Sequence, residues 1–154
     1  MTLLHLALRL LVAVIFLQTI TPAHAAEAKT ILRNAAAKHK VPYVVALKIA
    51  TKETRVKCGV WGDGGKSGGL LQIYWPTANS KYAIESFDGF KKMSCEELTD
   101  MGMRHLSTCW RMAKGNLWKT AACHNAGWGV LNGKPVPSMA KTYANIVAKM
   151  VDLN

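Results

Sequence analysis

A mainly α-helical single domain with one small glycine-rich β-region is the fold this sequence predicts. Three observations carry the prediction. Apolar residues recur at helical spacing in several segments, each bounded by proline, glycine or a capping residue. Six of the eleven residues from 59 to 69 are glycine (Gly59, Gly62, Gly64, Gly65, Gly68 and Gly69). The chain has 154 residues, half of them apolar, which is enough for one hydrophobic core of ordinary size. There is no internal repeat and no interdomain linker. The sequence also lacks the GxGxxG and GxxxxGK[ST] phosphate-binding patterns, which argues against dinucleotide and P-loop enzymes.

Residues 1–25 read as a secretory signal. Arg9 precedes an unbroken apolar run over residues 10–17, then Pro22 and the small-x-small exit Ala23-His24-Ala25. The run is too short to cross roughly 30 Å of hydrocarbon, so cleavage is expected rather than a retained anchor. Residues 26–154 then form the domain, with no stable membrane span.

Residues 27–40 suit an amphipathic helix with Ile31, Leu32, Ala35 and Ala36 facing inward. Pro42 suits the first position of a second helix over residues 42–54. The glycines of residues 59–69 predict a loop or small hairpin with unusual backbone angles. A short strand over residues 70–75 follows, and Pro76 opens a helical turn that ends near Tyr82. Ser94-Cys95-Glu96-Glu97 has the capping-box form and starts a helix carrying Leu98, Met101, Leu106, Cys109 and Ala113, ended by Gly115. A further helix over residues 117–126 is stopped by Gly127. Pro135 and Pro137 mark a loop. Ser138 is expected to cap a final helix bearing Met139, Tyr143, Ile146, Val147 and Met150.

Export sets the reading of the cysteines. Cys58, Cys95, Cys109 and Cys123 are an even set, and no pair has the CxxC spacing of a zinc ribbon or a thioredoxin-like site. Two disulfides are expected in an oxidising compartment. Three pairings are open. Cys58–Cys95 with Cys109–Cys123 is preferred, because the second bond would join two successive helices.

Glu53 stands out among the charged residues. Ala50, Ile49 and Ala46 precede it by three, four and seven positions, so a carboxylate shares their apolar helix face. Desolvation there would raise its pKa, as a general acid near neutral pH requires. The alternative is a helix-end glutamate paired with Lys52, Arg55 or Lys57. The glycine-rich segment that follows favours the first reading, since such a segment is expected to bring backbone donors and a ligand close to the carboxylate.

The stretch resembles the catalytic core of the lysozyme-like superfamily, which holds the soluble lytic transglycosylases and goose-type lysozymes. The family pattern is a helix ending in Glu-Ser, a glycine-containing turn, Gly-Leu-Met-Gln and then Pro-x-Thr-Ala. Here stand Glu53-Thr54, Gly69-Leu70-Leu71-Gln72-Ile73 and Pro76-Thr77-Ala78. Met101-Gly102-Met103-Arg104-His105-Leu106 is similar to the family's Gly-x-x-Tyr-Leu helix. Ala122-Cys123-His124-Asn125-Ala126-Gly127 is similar to its Ala-Ala-Tyr-Asn-Ala-Gly, and Tyr143 matches a tyrosine of its last helix. The ordered set spans residues 31–147.

The resemblance implies an α+β lysozyme-like fold with a glycan-binding groove, and cleavage between N-acetylmuramic acid and N-acetylglucosamine in peptidoglycan. Glu53 would be the acid and then the base, giving 1,6-anhydro ends. Thr54, Gly69, Gln72, His124, Asn125 and Tyr143 would line the substrate. His124 departs from the family's tyrosine, and Thr54 replaces serine while keeping a hydroxyl. Trp61-Gly62-Asp63 resembles goose-type lysozymes, in which the matching aspartate positions water. Asp63 is therefore the candidate second catalytic residue of a hydrolytic muramidase. Its alternative is a turn aspartate before glycine.

Twenty Lys+Arg against nine Asp+Glu give a net charge of +11. Such a chain is drawn to polyanions. Peptidoglycan, with carboxylates on its peptide stems, fits a diffuse charge of fifteen scattered lysines. Nucleic acid does not, since no helix-turn-helix, RRM or zinc-finger pattern is present. Trp61, Trp75 and Trp128 fall in loops and are groove candidates, whereas Trp110 and Trp118 fall on helices and are expected in the core. No metal or organic cofactor is implied. The expected location is periplasmic or secreted, with a secretion-apparatus or wall-localising protein as a partner. A peptidoglycan-binding protein without catalysis and a cationic toxin that disrupts membranes are the remaining alternatives.

Overall fold

The computed structural model describes residues 22–151. The segment expected to be a signal lies outside the described residues up to residue 21. Helix α1 spans Pro22–Lys38, five residues longer at its start than the apolar pattern predicts. Pro22 sits in the first turn, where a missing N–H costs nothing. Helix α2 spans Tyr43–Thr54, with Pro42 one position earlier than expected, as its N-cap. Ala28, Leu32, Ala35 and Ala36 of α1 are buried, whereas Ile31 is only partly so.

The glycine-rich segment folds as a small hairpin. A 3-10 turn spans Asp63–Gly65, and β1 (Ser67–Gly68) pairs antiparallel with β2 (Ile73–Tyr74) in the register Ser67↔Tyr74, Gly68↔Ile73. The expected strand over residues 70–75 is therefore much shorter. Leu70 and Leu71 are both fully buried, which a strand with alternating faces does not allow. The chain turns there instead, with Gly69 and Gln72 at positive φ and the Gln72 N–H donating to the Gly69 carbonyl.

Helix α3 (Trp75–Tyr82) carries Pro76 in its first turn. Helix α4 (Phe87–Lys92) escaped the periodicity argument because it is too short to show a period; the Ser86 hydroxyl caps it by accepting from the Gly89 N–H. Helix α5 (Cys95–Met112) begins with the predicted capping box: the Glu97 N–H donates to Ser94 Oγ and the Ser94 N–H donates to Glu97 Oε2. Helix α6 (Leu117–Ala126) stops at Gly127, whose φ of 85° with ψ of 170° is open essentially to glycine alone. A 3-10 turn spans Trp128–Leu131.

Helix α7 spans Ser138–Lys149, but Ser138 does not cap it. Pro137 occupies the cap position, and Ser138 is the first helical residue. Tyr143 and Val147 are buried with Ala140 and Ala144, whereas Met139 and Ile146 face solvent.

Two apolar clusters result. The larger joins α1, α2, α5, α6 and α7 with Leu70 and Leu71 inserted from the hairpin turn. The smaller collects Ile73, Ala78, Phe90, Leu98 and Met101 under Trp61 and Trp75. Both disulfides have the preferred pairing: Cys58–Cys95 ties the segment after α2 to the start of α5, and Cys109–Cys123 ties α5 to α6. Among the described residues no helix is long and apolar enough to cross a membrane.

Candidate active site

Glu53 lies in the last turn of α2, and the backbone behind it bends sharply. Arg55 and Val56 both take left-handed angles, φ 54° and 56°. The Val56 N–H reaches back to the Ala50 carbonyl and the Arg55 N–H to that of Thr51, a left-handed helix end made without glycine and one residue wider than the Schellman motif. For a β-branched residue such an angle is an outlier of the kind that gathers at functional sites.

Three helices meet at the carboxylate. The Tyr143 hydroxyl of α7 donates to Glu53 Oε1 at 2.6 Å. His124 Nε2 of α6 lies 3.6 Å from the same oxygen. Both neighbours thus grip one oxygen, and Oε2 makes no hydrogen bond among the described residues. The Glu53 side chain is 20% exposed.

The protonation states follow from these contacts. Burial pushes the Glu53 carboxyl up, but the His124 imidazole beside the same oxygen, the Tyr143 hydrogen bond and the nearby Lys52 charge outweigh it. The net shift is downward, which corrects the expectation of a raised pKa: an apolar helix face alone raises it, and the polar groups from α6 and α7 reverse the sign. Burial, then the charge and hydrogen bond of Glu53, raise the Tyr143 phenol, which stays a neutral donor.

Behind His124 runs a stack of rings. His105 of α5 lies 5.9 Å from His124 and is nearly parallel to Trp128, centroids 5.7 Å apart. Burial, then the charges of His124 and Lys81, push His105 down to about 4, so it is a neutral imidazole at neutral pH. His105 Nδ1, His124 Nδ1 and Trp128 Nε1 are all buried without a hydrogen-bond partner. Three such atoms in one stack are uncommon in native proteins. The motif reading passed over His105 as a site residue. Its signal was its place where the family's Gly-x-x-Tyr-Leu pattern has tyrosine.

Thr54, Gly69 and Gln72, three of the other expected substrate contacts, also have roles within the fold. The buried Thr54 hydroxyl lies 3.2 Å from the carbonyls of both Ala50 and Leu70 and accepts the Lys57 N–H, so it pins the hairpin turn to the end of α2. A Cβ on Gly69 would stand 2.7–2.9 Å from Leu98 and Thr99, so this glycine lets the turn touch α5. Gln72 Nε2 donates to the Val60 and Gly69 carbonyls. Asn125 is exposed on α6 beside His124. Asp63 is exposed at φ 50° and accepts the Ser67 hydroxyl, which closes its own turn.

Trp61 and Trp75 pack against Phe90 in the smaller cluster, with Lys91 Nζ 3.5 Å from the Trp61 ring centre. Both rings are partly buried, Trp61 on the hairpin and Trp75 at the start of α3, and they fill the apolar core of the hairpin side. Trp110 and Trp118 are half-buried against the larger cluster. No group of His, Cys, Asp and Glu that could hold a metal ion occurs among the described residues. No protein-family model, curated protein or solved structure matches the chain.

Proposed function

We propose that the protein cleaves the β-1,4 bond between N-acetylmuramic acid and N-acetylglucosamine in peptidoglycan, as a lytic transglycosylase secreted beyond the inner membrane. The observation that carries this reading is the convergence of α2, α6 and α7 on one oxygen of Glu53. It joins Glu53, His124 and Tyr143, residues the family resemblance marks.

The chemistry needs one carboxyl group. Protonated Glu53 gives its proton to the glycosidic oxygen as the C1–O bond breaks. The muramyl 6-hydroxyl then attacks C1, forming the 1,6-anhydro ring, and its proton returns to the carboxylate. Water is not consumed, so no second carboxylate is required, unlike in inverting glycosidases. Tyr143 and His124 hold Oε1 and leave Oε2 to face the substrate. They also favour the charged form that acts as base in the second step. The engagement of Asp63 with Ser67 favours this reading over a hydrolytic one.

The test is release of soluble fragments from purified peptidoglycan by the protein without residues 1–25. Release by wild type and its loss in Glu53→Gln support the proposal. Equal release by both would overturn it.

A further inference from the structure

A cavity of about 350 Å³ lies at the far end of the ring stack, between α5, the end of α3 and the turn that carries Trp128. Its lining includes Lys81, Arg104, Arg111, His39, Thr108 and Trp128, and no acidic side chain. Arg104, Thr108 and Arg111 are spaced i, i+4 and i+7, so α5 presents them along one stripe, with the two arginines about 10 Å apart along the axis.

Lys81 Nζ lies 4.7 Å from the centre of the Trp128 ring, and the Arg104 guanidinium 5.1 Å from that of Tyr82. These aromatic faces hold the cations without neutralising them. Arg104 also borders a neighbouring cavity that holds Glu96, Glu97 and Asp100, of which Asp100 pairs with Lys38 and His39 and Glu97 closes the capping box. No ion pair among the described residues reaches Lys81, Arg104 or Arg111. A concave surface with three uncompensated cations, two of them planar forks, suits carboxylates. Trp128 belongs to the same lining, and its ring N–H is buried without a hydrogen-bond partner among the described residues.

The cavity is also tied to the reaction centre. Trp128 stacks on His105, His105 neighbours His124, and His124 lies against Glu53. We infer that this cavity binds an acidic peptide through two of its carboxylates, and that the peptide is the stem carried by the glycan strand. The second half of the inference rests on the function proposed above. The stem would then hold the strand in register while the sugar bond lies at Glu53.

The test is calorimetric titration with a short peptide bearing two free carboxylates, its doubly amidated counterpart and inorganic phosphate. The dicarboxylate is expected to bind wild type at least tenfold more tightly than the other two. The double variant Arg104→Gln, Arg111→Gln is expected to lose at least tenfold in that affinity. The same charge removed at two exposed lysines elsewhere, Lys119→Gln with Lys149→Gln, should change it less than twofold. On peptidoglycan the arginine variant should raise KM with kcat nearly unchanged, and on glycan stripped of its stems it should match wild type. Equal affinity in the arginine variant, equal binding of the amidated peptide or of phosphate, or an equal loss in the lysine variant would each overturn the inference. The titration involves no bond cleavage. Peptide binding without any glycan cleavage would sink the proposed function and leave the carboxylate site standing, whereas cleavage with an unchanged KM in the arginine variant would sink the stem assignment alone.

Discussion

The two sides of this molecule are held together by different means. The helical body buries Leu32, Ile49, Met103, Leu106 and Val147 on regular helix faces, and its disulfide joins neighbouring helices only 14 residues apart. The hairpin side has two strands of two residues each. It is shaped by left-handed backbone positions, by aromatic packing on Phe90 and by a disulfide that closes 37 residues. The body therefore holds its form through repeated local preference, and the hairpin side through a few specific pins. Glu53 sits at the junction, on the last turn of a body helix that Thr54 fastens to the hairpin turn.

Removing the disulfides gives the largest contrast. In the chain-entropy account, a loop of 37 residues corresponds to about 4 kcal/mol and one of 14 to about 3. Cys58→Ala with Cys95→Ala should therefore lower stability in urea more than Cys109→Ala with Cys123→Ala. The reverse order would mean that the body depends on its pin more than the hairpin side does.

Gly69→Ala comes next. Its Cβ meets backbone atoms of Leu98 and Thr99 that cannot swing away, and its φ is 72°. Overpacking and left-handed strain together predict a loss of about 3 kcal/mol. Gly64→Ala, at φ 64° in open space, should lose only about 1 kcal/mol. Equal losses would remove the close approach from the account of this turn.

Tyr143→Phe probes the junction. It deletes one of the groups that hold the Glu53 carboxyl down. The acid form of Glu53 is needed to start the reaction, so kcat/KM falls as pH rises through the pKa of Glu53 in the free enzyme. The variant raises that pKa, and the fall should move to higher pH. A profile that stays in place would show that Tyr143 positions α7 without tuning Glu53.

Helix caps give the smallest effect. Ser94→Ala removes a hydroxyl that caps α5 and should cost about 1 kcal/mol, whereas Ser138→Ala should be nearly neutral because Ser138 caps nothing. Thermal melts of the two variants would separate them.

Sequence served the body better than the hairpin side for a physical reason. Helix faces repeat every 3.6 residues, so α5 and α6 and the capping box could be read in advance. The hairpin side depends on contacts between residues far apart in the chain. Gln72 with Val60, Thr54 with Leu70 and the burial of Trp61 on Phe90 leave no periodic trace. The site shows the same divide. Glu53 was visible from its helix face, but the downward shift of its carboxyl depends on residues 71 and 90 positions later. His105 and its stack with Trp128 appear only once α5 and the turn after α6 are brought together.

The central claim is that Glu53, in the grip of Tyr143 and His124, both gives and recovers the proton of a transglycosylation. Mass spectrometry of the soluble fragments released from peptidoglycan by wild type and by Glu53→Gln tests it directly. The account predicts fragments one water lighter than reducing-end products from wild type, and a rate at least about a hundredfold lower from the variant. Reducing ends from wild type would contradict it and move the catalytic role of water to Asp63, and fragments from Glu53→Gln at the wild-type rate would remove Glu53 from the chemistry.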